Sequence, residues 1–368
     1  MTEIYLIRHT QAEGNLYHMM QGHWDGDITA LGAKQIDALA ERFRDVRVDA
    51  LYSSDLYRTR MTAGAITKYH ELPMRLDTRL REMNVGNWEG VYFSDAMRAD
   101  PTIFHDFIIE PEKFRRETAE TYHELRDRMV AALNDIAAAH PGQCVAVVSH
   151  GLALRALVWG LTGRSLSDQT QIPLFGNTGV AHLFYDNGTY TVDYLNDVSH
   201  LPPELNPTGH VPELWSESFD PKAAAEFYRA CYEDAWQSAH GDLSGYNPQL
   251  YFDSACAHYE ADHGALLRFF SGEDCVGLLD MDTERGKHAN YGWVSLLYLR
   301  EEYRHRGCAP QLLGRAVAHY RRLGRTAIRL LVSEDNADAL RFYERMGFRE
   351  LSYENGSHGK LHLMEKKI

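Results

Sequence analysis

The chain has 368 residues, of which 44% are hydrophobic and 24% are charged, and its formal net charge at pH 7 is −14. This length favours two domains, and the acidic balance argues against a nucleic-acid-binding protein, which needs a basic face for phosphates. The five cysteines are widely spaced and form no CxxC pair, which argues against a disulfide framework or a zinc site. The chain opens without a signal-peptide pattern, and no run approaches the roughly 18 apolar residues of a membrane span. These features predict a cytoplasmic enzyme that binds neither nucleic acid nor membrane.

Strand and helix patterns alternate in the first half of the chain. Apolar strand patterns occupy residues 4–7, 48–52 and 144–148, and a late strand is predicted at 189–194. Thr29 is predicted to cap one helix, and apolar residues at helical spacing predict another over residues 125–136. This alternation predicts a three-layer α/β/α domain with a mostly parallel sheet. His9 and His150 each follow a strand, which is where open α/β sheets place their ligand sites.

A linker is predicted between residues 201 and 209, where three prolines and a glycine occur. We place the domain boundary there, so that the predicted domains are residues 1–204 and 205–368. The second half begins with a helix at about 223–236, followed by strands near 266–270, 275–281 and 293–299. A helix, a strand, a helix and two further strands complete a mixed α/β domain.

Four short motifs occur in order in the first half: Arg8-His9-Thr10, the helix start at Arg58, the segment around Glu82, and the strand end at His150. This ordered set resembles the histidine phosphatase superfamily, also called phosphoglycerate-mutase-like, over residues 1–200. The resemblance implies that His9 attacks phosphorus and becomes phosphohistidine, and that Glu82 protonates the leaving oxygen. It also implies a phosphate-binding set made of Arg8, Asn15, Gln21, Gly22, Arg58 and His150.

The chemistry of these residue types supports the same function. A phosphoryl group in transfer spreads negative charge over its oxygens, and arginines supply permanent, planar donors for that charge. A neutral imidazole is a competent nucleophile, and a carboxylic acid can protonate the leaving alkoxide. No metal is therefore predicted. Glu13 and Glu89 lie near the same motifs and remain alternatives to Glu82 as the acid.

The spacing between Glu82 and His150 bears on the type of phosphohydrolase. Mutases of this superfamily generally carry a longer segment between the acid and the second histidine, whereas only the 67 residues 83–149 separate Glu82 from His150. This favours a phosphatase that acts on a small phosphomonoester over a phosphoglycerate-type mutase.

Two other features concern the surroundings of the phosphate. Many members have Gly where this chain has Thr10, and the threonine could place a hydroxyl near the phosphate. An aromatic region could bind an apolar leaving group or form the core of a lid; it contains Trp88, Tyr92, Phe93, Phe104, Phe107, Arg115 and Arg116.

The second half contains a turn with the spacing Arg304-x-x-Gly307-x-Ala309, between an apolar strand and an amphipathic helix. Backbone N–H groups at a helix start can bind anions, so the turn predicts a pyrophosphate site. With the strand at 327–332 and residues 333–348, this segment resembles a GNAT-type N-acetyltransferase, strongly from about residue 265 onward.

The resemblance implies the acyl-CoA N-acyltransferase (GNAT) fold and acetyl transfer from acetyl-CoA to an amine acceptor. Tyr343 would protonate the departing thiolate, and a strand edge would pair with the pantetheine arm. The base is open between Asp280, Asp282 and water. The implied cofactor contacts are Leu297, Tyr298, Leu299, Arg304, His305, Arg306, Gly307, Cys308, Ala309 and Asn336.

The sequence therefore predicts a bifunctional enzyme with a phosphatase domain and an N-acetyltransferase domain. One alternative is a phosphatase regulated by a non-catalytic acyl-CoA-binding domain, and another is a mutase. The sequence specifies neither the acetyl acceptor nor the oligomeric state.

Overall fold

A computed structural model describes residues 1–207, 209, 211–356 and 359–368. The chain divides into two compact units, residues 1–209 and 210–368. The segment before the division packs onto the first unit, because Gln35 Nε2 donates a hydrogen bond to the carbonyl oxygen of Leu205 (2.8 Å). Thr208 of the predicted linker lies outside the described residues.

The first unit is built on a six-stranded sheet with the order β3-β2-β4-β1-β5-β6. Strands β1 to β4 are parallel, and β5 and β6 are antiparallel additions at one edge. The mostly parallel sheet is confirmed, although β3 and β5 were not predicted. The strands are β1 (Thr2–Arg8), β2 (Ala50–Ser53), β3 (Met74–Leu76), β4 (Cys144–Ser149), β5 (Val180–Asp186) and β6 (Thr189–Asp197).

Helices cover both faces of this sheet. Successive side chains of β1 point to opposite faces, and apolar side chains on each face pack against the helices there. Ile4 and Leu6 belong to a core shared with α6 and α7, whereas Ile7 packs in a second core with α2 and α3. This arrangement is the expected three-layer α/β/α domain. Its helices are α1 (Glu13–Tyr17), α2 (Ala30–Phe43), α3 (Tyr57–Thr67), α4 (Phe93–Ala99), α5 (Pro101–Ile108), α6 (Tyr122–Ala139) and α7 (Gly151–Thr162).

The second unit is a mixed α/β domain, as expected, with a seven-stranded sheet in the order β12-β13-β11-β10-β9-β8-β7. All neighbours pair antiparallel except β10 and β11, which are parallel. The strands are β7 (Trp215–Ser218), β8 (Leu266–Ser271), β9 (Asp274–Asp282), β10 (Tyr291–Leu299), β11 (Ala327–Ser333), β12 (Arg349–Gly356) and β13 (Gly359–Lys367). The helices are α8 (Ala225–His240), α9 (Pro248–Ala261), α10 (Ala309–Arg322) and α11 (Ala337–Arg345). Among the helices of the described residues, none has the length and apolar character needed to cross a bilayer.

Candidate active sites

His9 follows the last residue of β1, and its side chain is buried, with 2% exposed. Its Nδ1 lies 2.6 Å from the carbonyl oxygen of Thr10. Because a carbonyl only accepts, this bond places the proton on Nδ1 and leaves the lone pair on Nε2. Burial and the positive charges of Arg58 and Arg8 hold the pKa of His9 well below its usual range. His9 is therefore a neutral imidazole with a nucleophilic Nε2.

Arg8, which is half-buried, and Arg58, which is fully buried, bring two guanidiniums to the same site. Arg8 Nη1 donates to the carbonyl oxygen of Phe175, and burial lowers the pKa of Arg8 to about 10. The Nε groups of both arginines are buried and have no hydrogen-bond partner among the described residues. Buried donors without an acceptor are unfavourable, so these groups fit an anionic ligand. The Nη groups of Arg58 donate to the carbonyls of Gln21, Gly22 and Trp24 and to Asp25, at 2.8–3.2 Å.

His150 follows β4, and its ring centroid lies 5.2 Å from that of His9. Its Nε2 lies 3.0 Å from the hydroxyl oxygen of Ser54, the residue that follows β2. The buried Nδ1 has no partner in the part of the chain that the structure describes. Burial, aided by the charge of Arg58, holds the pKa of His150 well below its usual range. The ends of three parallel strands thus meet at one polar site.

Glu82 contacts the N-terminus of α7 through its carboxylate. Oε1 accepts hydrogen bonds from the backbone N–H groups of Ala153 (2.8 Å) and Met83 (3.0 Å). Oε2 accepts from the N–H of Leu152 (3.1 Å). The Glu82 charge opposes the lowering of the Arg8 pKa by burial.

Glu89, an alternative to Glu82, is engaged elsewhere. Its Oε1 accepts from the backbone N–H of His23 (2.8 Å), and its Oε2 accepts from that of Trp24 (2.6 Å). Both oxygens therefore hold the loop after α1. The Glu82 carboxylate instead lies at the start of α7, directly after His150, and this placement favours Glu82 as the acid. Glu13, the other alternative, is the buried first residue of α1.

The remaining predicted phosphate-binding residues have identifiable contacts. Asn15 Oδ1 accepts from the N–H of Ala12 (3.1 Å) and lies 3.4 Å from Asn177 Nδ2, which also contacts the carbonyl oxygen of His9 (3.1 Å). Gln21 and Gly22 contact Arg58 through their carbonyls. A Cβ at Gly22 would lie 2.2 Å from the carbonyl oxygen of Met83, so the close approach of two loops requires this glycine.

Ser54, Asn177 and Thr178 were not predicted from the sequence. Thr178 has a φ of 55°, which is rare for a β-branched residue, and its N–H donates to the carbonyl oxygen of His9 (3.3 Å). The Gly-Asn-Thr-Gly run at residues 176–179 is a turn signal that marks this loop, but it does not indicate the contact with His9.

Thr10 does not offer its hydroxyl to the site. Its Oγ1 donates to the carbonyl oxygen of Gly32 in α2 (2.6 Å), and its N–H donates to Thr62 Oγ1 (2.9 Å). The proton of this hydroxyl is therefore used within the fold and is not offered to a phosphate oxygen. Thr10 stands where many members have glycine, and it connects the nucleophile loop to α2 and α3.

The aromatic region at 88–116 packs against itself. The Trp88 ring centroid lies 5.8 Å from that of Phe107 and 5.9 Å from that of Phe114. The Arg116 guanidinium lies over the Trp88 ring at 4.4 Å. These contacts favour the core of a subdomain over a pocket for an apolar leaving group.

The family model of the histidine phosphatase superfamily (branch 1) matches residues 4–198. The chain belongs to this superfamily. A metal-independent phosphoserine phosphatase of Arabidopsis thaliana is 33% identical over 204 residues, covering 55% of this chain and 84% of the relative. A probable phosphoglycerate mutase of Proteus mirabilis is 30% identical over 206 residues, covering 55% of this chain and 95% of the relative. The structure of Bacillus stearothermophilus YhfR has a TM-score of 0.53 and 30% identity, covering 54% of this chain and 99% of that one.

Outside the histidine phosphatase unit, β10 and β11 diverge. Within the described residues they pair only at Tyr291–Trp293, and the register of β10 shifts between Val294 and Leu296. Beyond the shift, Leu297, Tyr298 and Leu299 pair with β9 on one side only. The other edge of β10 has no strand partner among the described residues at these positions.

The predicted pyrophosphate turn leads into α10, where Cys308 is the N-cap without a side-chain cap and Ala309 is the first residue. His305 and Gly307 both have a positive φ, 57° and 79°. A Cβ at Gly307 would lie 2.9 Å from Val211, so the turn has no room for a side chain there. The backbone N–H groups at this helix start fit a phosphate group.

The basic side chains of this turn are mostly engaged within the protein. Arg304 donates to the carbonyl oxygen of Leu299 (2.8 Å), to Ser238 (3.1 Å) and to Asp234 (3.1 Å). Arg306 lies 3.4 Å from the carbonyl oxygen of Glu302, and the His305 side chain is 74% exposed. The backbone is therefore the better-organised part of this turn.

Asn336 and Tyr343 lie at opposite ends of α11. Asn336 is the N-cap, and its Oδ1 accepts from the N–H of Ala339 (3.1 Å). Tyr343 is 8% exposed, and its ring packs against Phe342 and Phe348. Burial raises the pKa of Tyr343, so its phenol is protonated at neutral pH, as a proton donor must be.

Asp280 and Asp282 hold a histidine of α9. His258 Nδ1 lies 2.7 Å from Asp280 Oδ1, and its Nε2 lies 3.4 Å from Asp282 Oδ2. Tyr228 also donates to Asp280 (2.8 Å). Hydrogen bonds to both carboxylates overcome burial and raise the pKa of His258 to about 9. A protonated histidine between them argues against either carboxylate as a free base.

The family model of the GNAT acetyltransferases matches residues 222–348. The chain thus combines a histidine phosphatase unit with a GNAT unit, as the two sets of motifs predict.

Proposed function

We propose that the histidine phosphatase unit hydrolyses small phosphomonoesters through a phosphohistidine at His9, without a metal. The observation that carries this proposal is the neutral His9 ring, which keeps its Nε2 lone pair beside two guanidiniums with unsatisfied Nε groups. These charges would stabilise the oxygens of the phosphoryl group in flight. The name of the Arabidopsis relative makes O-phosphoserine the first substrate to test.

The reaction proceeds in two steps on these residues. Nε2 of His9 attacks phosphorus, the ester P–O bond breaks, and protonated Glu82 donates its proton to the leaving oxygen. Water then attacks the phosphohistidine, the P–N bond breaks, and the Glu82 carboxylate takes the proton of the water. His150, Arg8 and Arg58 hold the phosphoryl oxygens in both steps.

Trapping the intermediate tests this proposal. With ³²P-labelled substrate, rapid quenching should yield an acid-labile, base-stable label on the wild-type protein and none on His9→Ala. Glu82→Gln should retain labelling by p-nitrophenyl phosphate and release the label slowly, because the second step lacks its base. Label on His9→Ala would refute the assignment of the nucleophile.

A phosphoglycerate-type mutase is the alternative that the Proteus relative supports. A mutase must retain its phosphoryl group until a second acceptor binds. Incubation with 3-phosphoglycerate separates the two functions, because a phosphatase releases inorganic phosphate and a mutase produces the 2-phospho isomer. We expect phosphate release without isomerisation.

We propose further that the GNAT unit transfers an acetyl group from acetyl-CoA to an amine. The divergence of β10 from β11 beyond Trp293 carries this proposal, because it leaves a strand edge for the pantetheine arm beside the turn at Gly307. Bound acetyl-CoA would supply an activated thioester. Tyr343 would protonate the departing thiolate, and water would accept the proton of the amine, since Asp280 and Asp282 hold His258.

CoA release over a panel of amines tests the transferase, with Tyr343→Phe as the matched variant. We expect turnover with at least one amine and a lower kcat in Tyr343→Phe, while the affinity for acetyl-CoA is unchanged. If no amine releases CoA and acetyl-CoA instead alters the phosphatase rate, the GNAT unit is a regulatory module.

A further inference from the structure

The segment that carries Glu82 has little regular structure of its own. A short 3-10 turn, Thr78–Leu80, ends two residues before Glu82, and the next helix, also a short 3-10 turn, begins at Gly86. Backbone carbonyls of such a segment need partners from elsewhere in the fold. The position of the Glu82 carboxylate thus depends on those partners.

Arg128 of α6 provides three of them. Its Nη1 donates to the carbonyl oxygens of Arg79 and Arg81, both at 2.7 Å. Its Nη2 donates to the carbonyl oxygen of Glu82 at 2.8 Å. One planar guanidinium therefore contacts the backbone of Glu82 itself and that of two residues just before it.

Glu120 orients this guanidinium. Its Oε1 accepts from Arg128 Nε at 2.6 Å, and its Oε2 accepts from Nη2 at 2.8 Å. The Glu120 N–H also donates to the carbonyl oxygen of Asn84 at 2.8 Å. The side chains of Arg128 and Glu120 are 21% and 14% exposed, so this two-bond pair is mostly shielded from solvent.

We propose that Arg128, oriented by Glu120, is a positioning residue that holds the Glu82 carboxyl where it can protonate the leaving group. This inference rests on the proposed role of Glu82 as the acid. Arg128 contacts the backbone on both sides of residue 81, while the Glu82 side chain contacts α7. The acid is thus held between two helices, and loss of the Arg128 contacts frees its backbone.

The leaving group distinguishes positioning from a general loss of structure. An alkyl phosphate expels a basic alkoxide and needs the acid, whereas p-nitrophenyl phosphate expels a stable phenolate and needs it little. The ratio of kcat/KM between the two substrates does not depend on the fraction of folded enzyme. It therefore reports on the acid even if a variant is partly unfolded.

The experiment measures kcat/KM of the full chain for O-phosphoserine and p-nitrophenyl phosphate in Arg128→Met, Arg128→Lys and Glu82→Gln. Arg126→Met is the matched control, because Arg126 lies on the same helix but stacks over Trp159 at 4.6 Å. In Arg128→Met we expect kcat/KM to fall about 10- to 100-fold with O-phosphoserine and about twofold or less with p-nitrophenyl phosphate. Arg128→Lys should behave like Arg128→Met, since an ammonium cannot contact all three carbonyls.

The outcomes distinguish the positioning role of Arg128 from the role of Glu82 as the acid. An equal loss with both substrates in Arg128→Met, with a selective loss in Glu82→Gln, would overturn the positioning role and leave the acid in place. No selective loss in Glu82→Gln would overturn the proposed acid itself. Wild-type behaviour of Arg128→Lys would show that the charge, and not the planar fork, is what Glu82 requires, and would also overturn the proposal.

Discussion

The two units present their candidate ligand sites in different ways. In the histidine phosphatase unit, the reactive groups are side chains inside the protein, and His9, Arg58 and His150 are at most 2% exposed. In the GNAT unit, the best-organised features are backbone features, namely a strand edge without a partner among the described residues and a helix start at a glycine turn. The basic side chains near that turn either bond to the protein or face solvent.

This difference follows from the ligands that each site fits. A phosphoryl group in transfer is small and highly charged, and it requires nearby charge that does not reorganise. A long ligand with amides and phosphates can instead be bound by backbone donors and acceptors along its length. We therefore expect the first site to be sensitive to side-chain replacement and the second to changes in backbone conformation.

The largest expected effect is that of His9→Ala. Loss of the nucleophile should lower kcat/KM for O-phosphoserine by at least about a thousandfold, while affinity for acetyl-CoA stays at the wild-type value. His105→Ala, at an exposed position on α5, is the control and should retain activity. Turnover of His9→Ala near the wild-type rate would contradict the expectation that the phosphatase site depends on its buried side chains.

In the GNAT unit, the largest expected effect is that of a backbone change. In Gly307→Val, a β-branched residue would have to adopt a φ of 79° and would approach Val211, at a cost of about 1–3 kcal/mol. We expect calorimetry to show about a tenfold or greater loss of CoA affinity. Gly324→Val is the matched control, because Gly324 has a φ of 70° after the other end of α10 and open space around it. Equal losses in both variants would contradict a role for the turn.

Two arginine variants compare the loss of a basic side chain in the two sites. Arg8→Met should lower kcat/KM for phosphate esters about a hundredfold, because a cationic donor with a buried, unpaired Nε is lost. Arg304→Met should change CoA affinity only about threefold, because its guanidinium bonds to Leu299, Ser238 and Asp234. A loss beyond tenfold in Arg304→Met would show that this side chain contacts the ligand directly.

The smallest expected effect is an opposite pH dependence of stability in the two units. Burial holds the pKa values of His9 and His150 well below 6.5, so the unfolded state binds more protons and stability falls as pH drops below about 6.5. The pKa of His258 is raised to about 9, so its contribution is complete below 6.5 and is lost as pH rises toward 9.

Calorimetric unfolding of the full chain between pH 5 and 9.5 checks both signs. His150→Gln should flatten the acid limb, and His258→Gln should flatten the alkaline limb. A steeper acid limb in His150→Gln would contradict the assignment of a neutral buried histidine.

Local sequence patterns were sufficient to predict the site residues that lie at the ends of strands and helices. His9 and His150 follow strands, and Arg58 lies in the first turn of α3, as predicted. Strand and helix periodicity predicts these positions because hydrophobic spacing is a short-range signal. The choice between Glu82 and Glu89 was different, because both are carboxylates near the same motif and only their hydrogen bonds distinguish them.

The sequence by itself determined the alternation of strands and helices, the two families and the residue types at the strand ends, because each is encoded within a few turns of chain. Only the tertiary structure decided which side chains hold the residues of the candidate sites in place. Arg128 contacts residues 46–49 positions away, and Asn177 contacts His9 across 168 positions. Such contacts have no periodicity in the sequence, because they arise only when distant elements pack together.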